Sequence, residues 1–293
     1  MTIHSYAKIN LGLRVLRKRP DGYHDIETVM QTVDLTDTLT VSPQASGTTV
    51  TCDDPAVPTD ERNLAYRAAE LIRSRVGTES GVRVDIQKRI PVAAGLAGGS
   101  GNGAVTLIAL DRLWDAGLSF DDLLAMADRL GSDVPFCLRG GMAIGRGRGE
   151  VVEFLDTACP FAFVLVTPPC AVSTAWAYQQ VKIELTNFSS IVNLIISSLH
   201  EGDLDRLVVH LRNDLESPVL AHLPVVGRVK QTLIDCGAAG AAMSGSGPTV
   251  FGVVPDRLAA SRVADRVRQV ETTWRVWVAM PVSAREIAER SGR

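Results

Sequence analysis

The stretch "PVAAGLAGGSGNGA", residues 91–104, constrains the fold more than any other segment. It holds five glycines, four alanines and no charged residue. Before it, "GVRVDIQKRI" alternates apolar and polar residues as a strand does. After it, "AVTLIALDRLWDAG" has the helical period and a glycine stop at Gly117. The two familiar nucleotide motifs do not fit. No Gly-Lys-Ser/Thr closes the run, and the Gly-x-Gly-x-x-Gly spacing fails at its third glycine. Two readings remain. The stretch is a tight strand–helix connection, or it is a cradle in which free N–H groups and the helix dipole, roughly half a positive charge, hold an anion. A short turn needs only one or two glycines, so the density of small residues favours the cradle. Ser100 would then add a hydroxyl to a phosphate or metal ion, and Asn102 would cap the helix.

The rest of the chain alternates strand and helix patterns without the strict order of a doubly wound sheet, which predicts an α+β fold. "HSYAKINLGLRVL" reads as a strand with Tyr6, Lys8 and Asn10 on one face. A lysine there is costly to bury unless it meets an anion. On this segment alone a solvated edge strand with Lys8 outside is the favoured reading. "DERNLAYRAAELIRSRVG" is helical, with Leu64, Ala68, Leu71 and Ile72 inward. Ser119 caps another helix. In "LGSDVPF", Asp133 follows a helix stop, as a cap or as a general base. A second loop of small residues, "AAMSGSGPTVFG", is either a hairpin turn or a second wall of a cleft. A break near residues 150–160 suggests two domains, 1–155 and 156–293. The remaining helices are expected in "SSIVNLIISSLHEG", "GDLDRLVVHLRNDLE", "PVVGRVKQTLIDCG" and "RLAASRVADRVRQV", with "TWRVWVAMPV" as the last strand.

Composition narrows the classes. A net charge of −3 argues against a nucleic-acid binder. The cysteines Cys52, Cys137, Cys159, Cys170 and Cys236 form no Cys-x-x-Cys clip, which argues against zinc and for reduced thiols in the cytoplasm. Neither a signal peptide nor an apolar run long enough to span a membrane is apparent.

Taken in order, the Lys8 strand, the 91–104 loop, "GSDVPFCLRGGMAIGRGRGE" and "AAMSGSGPTVFG" resemble the GHMP kinase superfamily. "RPDGYH" and "NDLE" resemble its branch acting on a cytidylated sugar alcohol of the non-mevalonate isoprenoid pathway. The resemblance implies a ribosomal protein S5 domain 2-like N-terminal domain, a ferredoxin-like C-terminal domain, and ATP-dependent phosphorylation of the C2 hydroxyl, with Mg²⁺. It assigns Lys8 and Asp133 to catalysis and Asn10 to the substrate. Tyr23 and His24 would hold the cytosine, with Tyr178 stacked on its other face. Pro91, Gly95, Leu96, Ala97, Gly98, Gly99, Ser100, Gly101, Asn102 and Gly103 would bind ATP. The loop departs from the family's usual Gly-Gly-Ser-Ser-Asp-Ala-Ala at Gly101, Asn102 and Gly103, and Ala97 stands where glycine is usual. Rival readings are a kinase of a mevalonate-type alcohol, a catalytically inactive nucleotide-binding relative and an RNA-binding module. The paired Lys8 and Asp133 speak against the second, and the acidic balance against the third.

Overall fold

The structure, a computed structural model, describes residues 1–157, 159–183 and 191–290. The chain opens with β1 (Thr2–Lys18) and β2 (His24–Gln44), then β3 (Thr48–Cys52), α1 (Leu64–Val76) and β4 (Gly81–Gln87). Next come α2 (Gly98–Leu113), α3 (Phe120–Leu130), α4 (Val134–Arg139), β5 (Met142–Arg146) and β6 (Val151–Leu155). The second half holds β7 (Ala162–Thr167), α5 (Thr174–Gln180), α6 (Ile191–Glu201), α7 (Leu204–His210) and β8 (Arg212–Asn213). It continues through α8 (Glu216–His222), α9 (Pro224–Asp235), β9 (Gly240–Met243) and β10 (Val250–Val254). It ends with α10 (Arg257–Val270), β11 (Arg275–Ala279) and α11 (Ala284–Arg290).

These strands form two sheets. The first has the order β3-β4-β2-β1-β8, with β5 and β6 branching from β2. The length of β2 permits this: Thr28–Gln31 pair with β5, and Thr38–Gln44 pair with β4 on the same edge. The second sheet is antiparallel, β11-β7-β10-β9. Side-chain alternation along β7 sends Val164 and Val166 toward α9 and α10, and Phe163 and Leu165 toward the first sheet. There Phe163 and Phe251 meet edge to face at 6.0 Å and pack in one cluster with Ile9, Leu11 and Val29. The two sheets therefore share a core, and each large apolar side chain fully buried in it contributes about 1.5–3 kcal/mol.

Several local expectations change. The inward face of α1 is Ala65, Ala68, Ala69 and Ile72, with Leu64 and Leu71 only half-buried. Small residues there let α1 and α2 approach closely. The second helix begins at Gly98 rather than after the glycines, so Asn102 lies inside it and does not cap it. The cap position is Ala97, left-handed at φ 56° and with no side-chain cap bond. Ser119 does cap α3, in a reciprocal pair with Asp122. The helix expected over "GDLDRLVVHLRNDLE" ends at His210, because Arg212 and Asn213 pair with β1 as β8, and α11 has no clear signature. Ser189 and Ser190, expected to begin a helix, lie outside the described residues. No helix among the described residues is long and apolar enough to cross a membrane.

Candidate active site

A cleft of about 1110 Å³ opens where β1, the loop before α2, the start of α4, α5 and the β9–β10 turn converge. Its glycine wall is built by backbone geometry. Ala93, Gly95 and Ala97 have φ of 51°, 76° and 56°, left-handed at every second position. The carbonyl of Ala94 accepts from Thr249 N (3.4 Å), that of Gly95 from Ser244 Oγ (2.9 Å), and that of Leu96 from Lys8 N (3.1 Å). With these carbonyls engaged by the scaffold, the loop amides and the unpaired amides at the start of α2 are left to meet an anion bound in the cleft. Gly95 is irreplaceable in this arrangement, because a Cβ there would overlap Ser244 O. The two small-residue loops thus form one wall, and the second is both a hairpin turn and part of the cleft.

Beside that wall, β1 delivers Lys8, which is 4% exposed. Its ammonium donates to Asn10 Oδ1 at 2.8 Å and stands 3.5 Å from Asp133 Oδ2. Asn10 Nδ2 donates to Thr28 Oγ1 (2.8 Å), and Thr28 Oγ1 donates to Gly12 O (2.6 Å). Asp133 occupies the residue before α4 but makes no cap bond. Its carboxylate, about one-third exposed, is left to face the cleft. A buried lysine anchored on one side and paired with a half-free carboxylate on the other is an arrangement suited to proton transfer from a hydroxyl.

The far end of the cleft is aromatic. His24 and Tyr178 stack at 5.4 Å between ring centroids, with an interplanar angle of 24°. That separation leaves no room for a third ring between them. Tyr23 is more than half exposed, and the Arg148 guanidinium carbon lies 5.2 Å from its ring centroid. Burial, and then the charge of Lys18, pushes His24 below its usual 6.5, so its imidazole is neutral at pH 7. Burial, and then the charge of Asp133, pushes the Tyr178 phenol up, so it keeps its proton.

Lys8, Asn10, Tyr23, His24, Pro91, Gly95, Ala97, Gly98, Gly99, Ser100, Asn102, Asp133 and Tyr178 all line this one cleft. Leu96 turns into the core, 1% exposed. Gly101 packs on Ser5 and Gly103 on Leu64. Tyr6 shares a strand face with Lys8 but lies beyond it, in a small pocket beside Phe136 and Cys137. Sequence reasoning missed Thr28, Lys88, Ser246 and Arg148, which also line the cleft. Lys88 had the best available signal, a charged residue three positions before Pro91.

The family description "GHMP kinases N terminal domain" matches residues 63–141, and "GHMP kinases C terminal" matches residues 195–271. A 4-diphosphocytidyl-2-C-methyl-D-erythritol kinase of Synechococcus sp. (strain JA-2-3B'a(2-13)) is 42% identical over 287 residues, covering 94% of this chain and 92% of the relative. The crystal structure of a 4-(cytidine 5'-diphospho)-2C-methyl-D-erythritol kinase superposes with a TM-score of 0.82 at 36% identity, covering 96% of this chain and 99% of its own. Homoserine kinase from Cytophaga hutchinsonii superposes with a TM-score of 0.76 at 19% identity, covering 97% and 96%, a likeness of fold alone.

Proposed function

The chain belongs to the 4-diphosphocytidyl-2-C-methyl-D-erythritol kinases of the GHMP superfamily, and from that premise we propose that it transfers the γ-phosphoryl group of ATP to the C2 hydroxyl of 4-diphosphocytidyl-2-C-methyl-D-erythritol. It is an ATP-dependent kinase of isoprenoid biosynthesis. The observation that carries the proposal is the Lys8–Asp133 pair beside the 91–104 loop, with the His24–Tyr178 stack in the same cleft.

In this reading the loop amides and the start of α2 bind the ATP phosphates. Asp133 accepts the proton of the C2 hydroxyl as its oxygen attacks the γ-phosphorus and the bond to the β-phosphate bridging oxygen breaks. Lys8, held by Asn10 and Thr28, orients Asp133 and offsets the negative charge that develops. His24, neutral, hydrogen-bonds the edge of the cytosine. Tyr178 and Tyr23 supply the aromatic surface for its faces.

Mg²⁺ fits as a passenger on the nucleotide. Among the described residues, no three His, Cys, Asp or Glu side chains gather into a metal cluster. Magnesium in such enzymes takes one or two protein oxygens together with substrate phosphates. Ser100, on the phosphate wall, is the protein oxygen that would hold it, and when bound it would neutralise charge on the β- and γ-phosphates. The five cysteines are free, which supports a reducing, cytoplasmic setting.

The test is ADP release by the purified protein with the cytidylated methylerythritol, mevalonate and homoserine in parallel. Turnover with the cytidylated alcohol alone is expected. Turnover with mevalonate alone would overturn the substrate assignment, and no turnover with any would favour an inactive nucleotide-binding relative.

A further inference from the structure

We infer that Asp37, outside the catalytic pair, is a positioning residue that sets the phosphate loop for nucleotide by clasping the chain on both sides of it. The inference rests on the kinase reading above only for the identity of the nucleotide. Asp37 is fully buried on β2, in the stretch that pairs with β1. Its Oδ1 accepts the N–H groups of Arg89 (2.7 Å) and Ile90 (2.9 Å), the two residues that lead into Pro91. Its Oδ2 accepts from Lys88 Nζ at 2.5 Å. Asn102, with its amide nitrogen turned to the orientation that satisfies both of its polar ends, donates to the same Oδ2 at 3.0 Å. The Asn102 amide also reaches Gly98 O (3.0 Å) and Ser5 Oγ (3.1 Å).

Four donors thus converge on one carboxylate, and they come from residues 88–90 before the loop and residue 102 after it. The intervening residues carry the cleft wall, formed by residues 91–95 and 97–100. A purely local ion pair would tie Lys88 alone. Here the same carboxylate fixes the distance between the end of β4 and the second turn of α2, which sets where the loop amides point. Lys88 itself lies along the cleft wall, close enough to α2 that a Cβ on Gly98 would sit 3.0 Å from its ammonium nitrogen. Asp37 therefore also decides where a buried cation stands beside the phosphate site. Asn102 takes its place in this clasp through an amide, so the departure of this loop from the family pattern keeps a structural role at that position.

The experiment measures ATP affinity by direct titration and the KM values for ATP and for the alcohol, in the full chain and in Asp37→Asn. Loss of one charged acceptor facing two donors is expected to weaken ATP binding about tenfold and leave the KM of the alcohol within about twofold. The exchange variant Asp37→Asn/Asn102→Asp returns a carboxylate–amide pair and a counter-charge for Lys88, and is expected to recover most of the ATP affinity. An unchanged ATP affinity in folded Asp37→Asn overturns the inference, as does an equal rise of both KM values, which would mark general loosening of the scaffold. Should Asp37→Asn not fold, Asp37→Asn/Lys88→Met leaves no unpaired buried charge and carries the same titration. Weaker ATP binding than in Lys88→Met alone supports the clasp, and an affinity equal to that of Lys88→Met overturns it. If the wild-type protein does not turn over the cytidylated alcohol, the substrate assignment falls while the ATP titration still reports on Asp37.

Discussion

Lys8 Nζ stands 3.5 Å from Asp133 Oδ2 while donating to Asn10 Oδ1 at 2.8 Å. The closer bond is to the neutral amide, so the carboxylate keeps a free face toward the cleft. Its neutralisation should therefore affect chemistry far more than folding. Asp133→Asn is expected to lower kcat by about 10²–10⁴-fold. The melting temperature should fall by only a few degrees, because the side chain caps no helix and is about one-third exposed, although buried Lys8 loses its counter-charge. Steady-state kinetics beside thermal unfolding separates the two effects. A folded variant with wild-type kcat would remove Asp133 from catalysis.

Thr28 is the end of the relay that holds Lys8. Replacing it by valine keeps the shape but removes both the acceptor for Asn10 Nδ2 and the donor to Gly12 O. A buried polar group left without a partner costs about 1–3 kcal/mol. Thr28→Val should lower the melting temperature by several degrees and lower kcat, with the KM for ATP little changed. Unchanged kcat would show that Asn10 holds Lys8 unaided.

His24 gives the site a pH signature. Its folded-state pKa lies below 6.5 because of burial, then Lys18. The neutral ring is thus the form present at pH 7, and protonation sets in only as pH falls through that lowered value. A protonated ring loses its acceptor nitrogen. The KM of the cytidylated alcohol should rise as pH falls through that lowered value, and the KM of ATP should not follow it. His24→Gln should flatten the profile. Parallel KM profiles for both substrates would refute the assignment.

Gly101 offers a test of the altered loop. A Cβ there would overlap Ser5 Oγ. Gly101→Ser, which restores the family's usual residue, should destabilise the chain by about 1–3 kcal/mol through overpacking. Adding Ser5→Gly should recover most of that loss in a double-mutant cycle. Additive losses would mean that the close approach of β1 to α2 does not depend on this glycine.

Much of this site was legible because its parts are local. Asp133 sits beside a helix stop, Lys8 and Asn10 share a strand face, and the glycines announce close backbone approach. What could not be read depends on contacts distant in sequence. Gly98 is helical because Ser5 and Leu64 come from elsewhere to receive the bare faces of Gly101 and Gly103, against the low helical propensity of glycine. Thr28 has an ordinary place in a strand pattern, and only the register Asn10↔Met30 and Gly12↔Val29 brings it under Asn10. Lys88 and Asp37 are each unremarkable charges until β2 and β4 lie side by side. The Tyr178–His24 stack likewise needs α5 to fold over the β1–β2 hairpin.

The short pairing of β8 with β1 limits how such enzymes can be recombined. Gly12 and Leu13 bond in parallel to Arg212 and Asn213, and Val15 N donates to Asp214 Oδ2 at 2.9 Å. Asn213 Nδ2 in turn donates to Met243 O and Gly245 O, both at 2.7 Å, fastening the β9–β10 turn behind the nucleotide wall. A chimera spliced near residue 155 would draw the Lys8 strand from one parent and the segment that docks on it from the other. Exchange between relatives should succeed only where that docking segment travels with its strand, so breakpoints that respect the linear halves of the chain are poor places to cut.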